Sequence, residues 1–259
     1  MEVFLQPDAW IALLTLTFLE IILGIDNIIF ISIVTGKLPV EKRKSATRIG
    51  LFLAMFMRIG LLFGITLLIA MKAPWFSFDF GWFSAEITGQ AMVLLAGGLF
   101  LIYKSTKEIH EKVDHQGHEE ATLKSTATKS FGNVIFQILL IDLIFSVDSI
   151  LTAVGMTNGV EGALYIMITA VVISVAVMML FAVPVGNFVN ANPSIQILGL
   201  AFLILIGFML ITESMHLSGA TLVGEKVGVV PKGYLYFAIA FSLAVEMLNM
   251  RMSKKKESN

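Results

Sequence analysis

The sequence predicts an all-α polytopic membrane protein: seven transmembrane helices, built as an inverted three-plus-three helix repeat plus one extra helix. Three observations predict it. Of 259 residues, 57% are hydrophobic and only 14% charged, where a soluble domain has about 45–50% and about 25%. The mean hydropathy is +0.86. Mainly apolar runs approaching the roughly 20 residues that cross a bilayer recur along the chain, and one acid-bearing motif occurs twice. This composition excludes a soluble globular protein, and equally a disordered one, which needs low hydrophobicity and high charge. A net charge of −1 leaves no footprint for nucleic acid. With no Cys, disulfides, Cys zinc sites, iron–sulfur clusters and thiol nucleophiles are excluded.

The first span is expected at 9–35, although it contains Glu20 and Asp26. Only Glu2 and Asp8 precede or open it, with no basic n-region and no small-residue cleavage site. It is therefore expected to be retained. Span two, 48–71, carries Arg58, and its Gly60 and Gly64 form a small-xxx-small pair that lets helices approach. The stretch from Pro74 to Phe83 is rich in Trp and Phe and reads as an interfacial aromatic belt. Span three, 88–104, is the shortest. A polar loop at about 105–130 follows, holding His110, His115 and His118 among acids. A His-rich tract can touch metal, but a solvated loop is the simpler reading. Spans four to seven are expected at 131–155, 162–183, 195–213 and 234–250, with Asp142 and Asp148 inside the fourth. The whole of 1–259 reads as a single transmembrane domain: repeat one at 9–104, repeat two at 131–213, then the seventh helix.

Lys and Arg near span ends set orientation. Lys37, Lys42, Arg43, Lys44 and Arg48 fall in the first connection. Five more Lys lie between spans three and four, and Arg251 with three Lys form the tail. Lys72, Lys226 and Lys232 fall on the other side. The bias predicts the N-terminus outside and the C-terminus in the cytoplasm.

The repeated motif runs from Leu19 to Ile28 and from Ile141 to Ile150, with a constant offset of 122. Each copy reads acid, three apolar residues, small residue, apolar residue, Asp, small polar residue. The ends of spans three and six also look alike, pairing Glu108 with Glu213. Span one runs inward and span four outward, so the repeat is inverted, a common transporter plan with a midplane site.

Glu20, Asp26, Asp142, Asp148 and Glu246 face a single Arg58 inside the spans. At roughly 2.5–3.5 kcal/mol per acid, the excess costs on the order of ten kcal/mol if all stay ionised. A bound cation, or protons, would offset it. Glu20 and Asp26 are six residues apart, about 9 Å of rise and roughly 120° of rotation on a straight helix. Gly24, replaced by Ser146 in the second copy, permits local unwinding. Spans one and four are therefore expected to kink or break there and bring four carboxylates together. With Asn27, Ser149 and Glu246 the donor set is all oxygen, which suits Mg²⁺, Ca²⁺ or Mn²⁺. Arg58 is expected to pair with an acid or to hold down the charge of the empty site.

The two acid motifs resemble the paired signatures of the TerC family of integral membrane proteins: Glu20 to Asn27 followed by Ile28-Ile29-Phe30, and Asp142 to Ser149 followed by Ile150-Leu151-Thr152. Further matching stretches are Arg48 through Arg58, Lys104 to Glu111, and Phe237 to Ser242 leading to Glu246. The resemblance covers nearly the whole chain. It implies a bacterial inner-membrane protein of a family named for tellurium resistance and linked to manganese efflux and to supplying metal to exported proteins. It also implies Glu20, Asp26, Asn27, Asp142 and Asp148 as the ion site, with no resident cofactor. The expected function is secondary export of a divalent cation, Mn²⁺ first, by proton exchange. Two other readings compete. One is a non-transporting membrane partner in assembly or metal loading of exported proteins. The other is an intramembrane aspartyl protease built on Asp26 and Asp148, although its flanking signatures are missing. A Walker A loop is absent, since Tyr103 precedes Lys104-Ser105 where the motif needs Gly.

Overall fold

The computed structural model describes residues 6–64, 69–117, 130–157, 159, 160 and 162–257, with side chains described up to 114 in the third helix and 252 in the last. Its helices are α1 (Pro7–Thr35), α2 (Val40–Phe63), α3 (Gly89–Gly117), α4 (Phe131–Met156), α5 (Ala163–Ala191), α6 (Pro193–Leu217) and α7 (Lys232–Glu257). Pro7 and Pro193 open α1 and α6, where the missing N–H costs nothing and φ is already helical. Six of the seven are long and apolar enough to cross a membrane; α3 is not among them. The reason is its second half, where Lys104, Lys107, Glu108, Glu111 and Lys112 follow a short apolar stretch. That half replaces the first part of the expected loop: residues 105–117 continue the helix, supported by a Lys104–Glu108 pair at 2.8 Å one turn apart, and 118–129 lie outside the described residues. His110 pairs with Asp114 at 3.1 Å on its exposed side. The side chain of His115, and all of His118, lie outside the described residues.

The residues gather into two compact units. One combines 1–73 with 123–190; the other combines 74–122 with 191–259. Each unit therefore draws on both repeats.

In the first unit, close contacts fix the directions of the helices. Gly24 meets Met178, Ser32 meets Gly186 and Gly36 meets Asn190, so α1 and α5 run parallel at a constant offset of 154. Gly50 meets Ile138 and Arg58 reaches Asp142, so α2 and α4 also run parallel. Exchanging the repeats turns the first pair into the second, as an inverted repeat requires.

In the second unit, Ser214 donates to the Ala91 carbonyl at 2.6 Å, while Lys112 donates to Gln196 at the far end. Helices α3 and α6 are thus antiparallel, and they cross where Gly98 faces Gly207. This crossing matches Gly98-Leu101-Ile102-Ser105 with Gly207-Leu210-Ile211-Ser214. The expected equivalence of Glu108 with Glu213 is therefore off by one helical turn. The offset drops from 122 to 109 because a strand pair lies between α2 and α3 and has no counterpart between α5 and α6.

That pair is β1 (Pro74–Asp79) and β2 (Phe83–Thr88), in place of the expected aromatic loop. It is joined by β3 (Thr221–Leu222) and β4 (Glu225–Lys226) in one antiparallel sheet of order β1-β2-β3-β4. Gly81 closes the first hairpin at φ +78°, its N–H bound to Asp79 at 2.9 Å. The register puts Phe76, Phe78, Phe83, Ala85, Ile87 and Leu222 on one face, and Ser77, Asp79, Ser84, Glu86, Thr221 and Lys226 on the other. At the tips, Val223 donates to the Trp82 carbonyl at 2.7 Å. Trp75, Phe76, Phe78, Phe80 and Trp82 are all exposed.

Candidate functional site

The candidate site lies inside the first unit, where α1, α2 and α4 meet. Helix α1 is unbroken from Pro7 to Thr35 and α4 from Phe131 to Met156. The expected interruption at Gly24 and Ser146 is absent, and each residue has another task. A methyl group on Gly24 would collide with the Met178 thioether, so this glycine serves the close approach of α5. Ser146 returns its hydroxyl to the Asp142 carbonyl at 2.5 Å, satisfying itself within the helix.

Along unbroken helices the carboxylates are sorted by angle. Glu20 and Asn27 are seven residues apart, within about 20° of one face. Asp142 and Ser149 repeat that spacing. Of these four, Glu20, Asn27 and Asp142 reach the seam. The Arg58 guanidinium fills it: Nη1 donates to Glu20 Oε2 at 2.5 Å, Nη2 to Asp142 Oδ1 at 2.5 Å, and Nε to Asp142 Oδ2 at 3.0 Å. The Asp142 pair is bidentate, the geometry in which arginine binds a carboxylate best. Asn27 Nδ2 donates to Asp142 Oδ1 at 3.3 Å, and Ser146 Oγ to Asp142 Oδ2 at 3.2 Å. All of this is out of contact with solvent: Glu20 is 6% exposed, Arg58 3%, Asp142 4% and Asn27 3%.

Two acceptors here lack donors. The Asn27 Oδ1 atom is buried with no hydrogen-bond partner. An orphaned buried acceptor costs about 1–3 kcal/mol. Asp26, one residue earlier and so about 100° round the helix, is 8% exposed. Among the described residues no hydrogen bond or ion pair reaches its carboxylate.

The other expected ligands are placed differently. Asp148 is half-buried on α4. Ser149 is buried and donates to the Ser146 carbonyl at 3.3 Å. Glu246 is half-buried on α7, in the second unit. Among the described residues no three His, Asp or Glu side chains stand close enough together to hold a metal ion. The expected four-carboxylate cluster is therefore not formed in this structure. Two of its acids meet through Arg58, and rotation along the unbroken helices turns Asp26 and Asp148 elsewhere. Ser146, which the motif marked only as the small residue at the Gly24 position, is a polar residue of this seam. Its i+4 spacing from Asp142 was the available signal.

Comparison with known proteins agrees with the membrane architecture. The UPF0053 protein of Haemophilus influenzae is 46% identical over 249 residues, 96% of each chain. The UPF0053 inner membrane protein YgdQ of Escherichia coli strain K12 is 49% identical over 250 residues, again 96% of each. The inner membrane protein YoaE of the same strain is 41% identical over 250 residues, 96% of this chain but 44% of that protein. No solved structure matches. Residues 5–259 match the pattern of the integral membrane protein TerC family, and the chain belongs to that family.

Proposed function

We propose that the protein is a secondary transporter that exports a divalent cation, Mn²⁺ in the first instance, from the cytoplasm. One observation carries this reading: among the described residues, the first unit buries Glu20, Asp26 and Asp142 with Arg58 as the one buried cation, and no hydrogen bond or ion pair reaches the Asp26 carboxylate. An unpaired charge is among the costliest groups to bury, and ionisable residues kept inside a membrane mark ion or proton pathways. The donors are carboxylates, the Asn27 amide oxygen and hydroxyls, a set suited to hard divalent ions. Outward movement of a divalent ion against 100 mV costs about 4.6 kcal/mol, at roughly 2.3 per charge. Inward protons carried on the same carboxylates are the natural counter-flow. If α3 crosses beside its antiparallel partner α6, as the contacts from Ala91 to Lys112 favour, the Lys and Arg bias supports an N-terminus outside and a C-terminus in the cytoplasm.

The protease reading loses support on chemical grounds. A catalytic dyad needs two carboxylates sharing a proton. That dyad would be Asp26 and Asp148, and among the described residues no hydrogen bond or ion pair reaches the Asp26 carboxylate; the two acids that do meet, Glu20 and Asp142, meet through Arg58. The partner reading keeps one specific support, the exposed aromatic residues of the sheet, which a protein-binding role would use. Cellular Mn content and Mn sensitivity of a deletion strain separate the two. Strains carrying wild type should recover tolerance, and strains carrying Asp26→Asn or Asp148→Asn at normal abundance should not. Full tolerance with both variants would overturn the transport reading.

A further inference from the structure

The seam that the transport reading assigns to a cation already holds one, supplied by the chain itself. We infer that Arg58 is a tethered stand-in for the transported ion: it neutralises Glu20 and Asp142 when no ion is bound, and must release Asp142 before an ion can take the seam. The inference rests on the transport reading and adds the order of events at that site.

Three observations carry it. First, Arg58 takes both oxygens of Asp142 and one of Glu20. A divalent ion bonded to the same carboxylates at 2.0–2.6 Å would stand within a few ångströms of the guanidinium. Like charges that close, away from water, repel too strongly to share the site. With Arg58 3% exposed, solvent does little to screen them. Occupancy by the arginine and by the ion therefore exclude one another.

Second, the repeat does not explain the arginine. The acids come in matched pairs, Glu20 with Asp142 and Asp26 with Asp148, whereas α5, the counterpart of α2, carries no Asp, Glu, Lys or Arg. An architectural salt bridge inherited with the repeat would appear twice. The single arginine makes one face of a near-symmetric site different from the other.

Third, the seam keeps an acceptor in reserve. Asn27 donates to Asp142 through Nδ2, while its Oδ1 is buried with no donor among the described residues. A buried network is weakened by each acceptor left unpaired in it. An arriving ion supplies the missing partner.

Arg58 is then a competitor that sets affinity and speeds release. Removing it should tighten binding and slow turnover together. A role confined to holding the fold would lower both.

The test uses the full-length protein in detergent, with free Mn²⁺ read by its electron paramagnetic resonance signal, and the same protein in vesicles for Mn²⁺ flux. Arg58→Gln should bind Mn²⁺ at least tenfold more tightly than wild type, with a lower maximal flux. Arg58→Lys, which keeps a point charge, should fall between them. If Arg58→Gln does not fold, Glu20→Gln is compared with Glu20→Gln/Arg58→Gln, where one negative charge leaves with the positive one. The double variant should bind more tightly than the single. Equal or weaker binding in the folded arginine-free protein overturns the inference, and does so alone if wild type binds Mn²⁺ and Asp26→Asn does not. If wild type and all variants fail to bind Mn²⁺, Mg²⁺ or Ca²⁺ and carry no flux, the transport reading falls and takes the inference with it.

Discussion

Gly98 and Gly207 face each other across α3 and α6 so closely that a methyl group on Gly98 would lie 2.5 Å from the Gly207 carbonyl oxygen, and one on Gly207 would lie 2.8 Å from that of Gly98. Each is also within 2.8 Å of an isoleucine one turn further along the other helix, Ile211 and Ile102. The contact is reciprocal, as expected where an inverted repeat crosses itself. Neither backbone can yield without separating the helices. Gly98→Ala or Gly207→Ala should destabilise the protein by about 1–3 kcal/mol, the usual range for overpacking. The check is the midpoint of thermal unfolding in detergent. Gly24→Ala is the contrast, because the atom it meets belongs to the flexible Met178 side chain. Its effect should be smaller and should be relieved by Met178→Ala.

Removing Arg58 alone leaves Glu20 and Asp142 buried without their cation. Breaking a buried pair in this way typically costs about 3–5 kcal/mol. Arg58→Leu should fall in that range by denaturant titration. The triple change Glu20→Met, Arg58→Leu, Asp142→Leu should recover most of the loss, because well-packed apolar groups often replace a buried ion cluster at no cost. Cation transport should not return with it.

Asp26 should behave in the opposite sense. Asp26→Asn replaces a buried carboxylate that no partner satisfies among the described residues. Unfolding midpoints should stay level or rise, while metal tolerance in cells is lost. A fall in stability as large as that of Arg58→Leu would mean that Asp26 has a structural partner.

Val223, at the tip between β3 and β4, has φ +53° and is 81% exposed. A β-branched residue rarely adopts the left-handed region, and such strain costs of order 1–3 kcal/mol. Val223→Gly should raise the unfolding midpoint, unless the apolar tip makes a contact in the membrane that offsets the strain. Comparing the two proteins in detergent and in vesicles separates these effects.

Much of the fold was legible because apolar length and matched acids are strong local signals. The bounds of α1 and α4 lie within two residues of their expected spans. The carboxylates of the site were legible as residues but not as an arrangement. The sequence shows that Glu20 and Asp26 are 120° apart; it does not show whether the helix breaks to undo that angle. Gly24 signals both a hinge and a close approach, and only Met178, 154 residues away, decides between them. The sheet was missed for a different reason. Alternating Phe76, Ser77, Phe78, Asp79 and Phe80 before Gly81 has the period of a strand, yet an aromatic run beside a membrane span reads equally as a belt. The second half of α3 was misread as a loop because its polarity hid the four-residue spacing of Lys104, Glu108 and Lys112.

The placement of Arg58 on α2 also bears on how the chain enters a bilayer as it is made. Glu20 and Arg58 lie on consecutive helices, joined by only four residues, Gly36 to Pro39. They can cross as a hairpin whose opposite charges already neutralise each other. Asp142 arrives some eighty residues later, to an arginine with hydrogen-bond donors still to fill. The same guanidinium thus escorts one acid into the lipid and waits there to receive the second, which makes the order of synthesis part of how so polar a centre is installed.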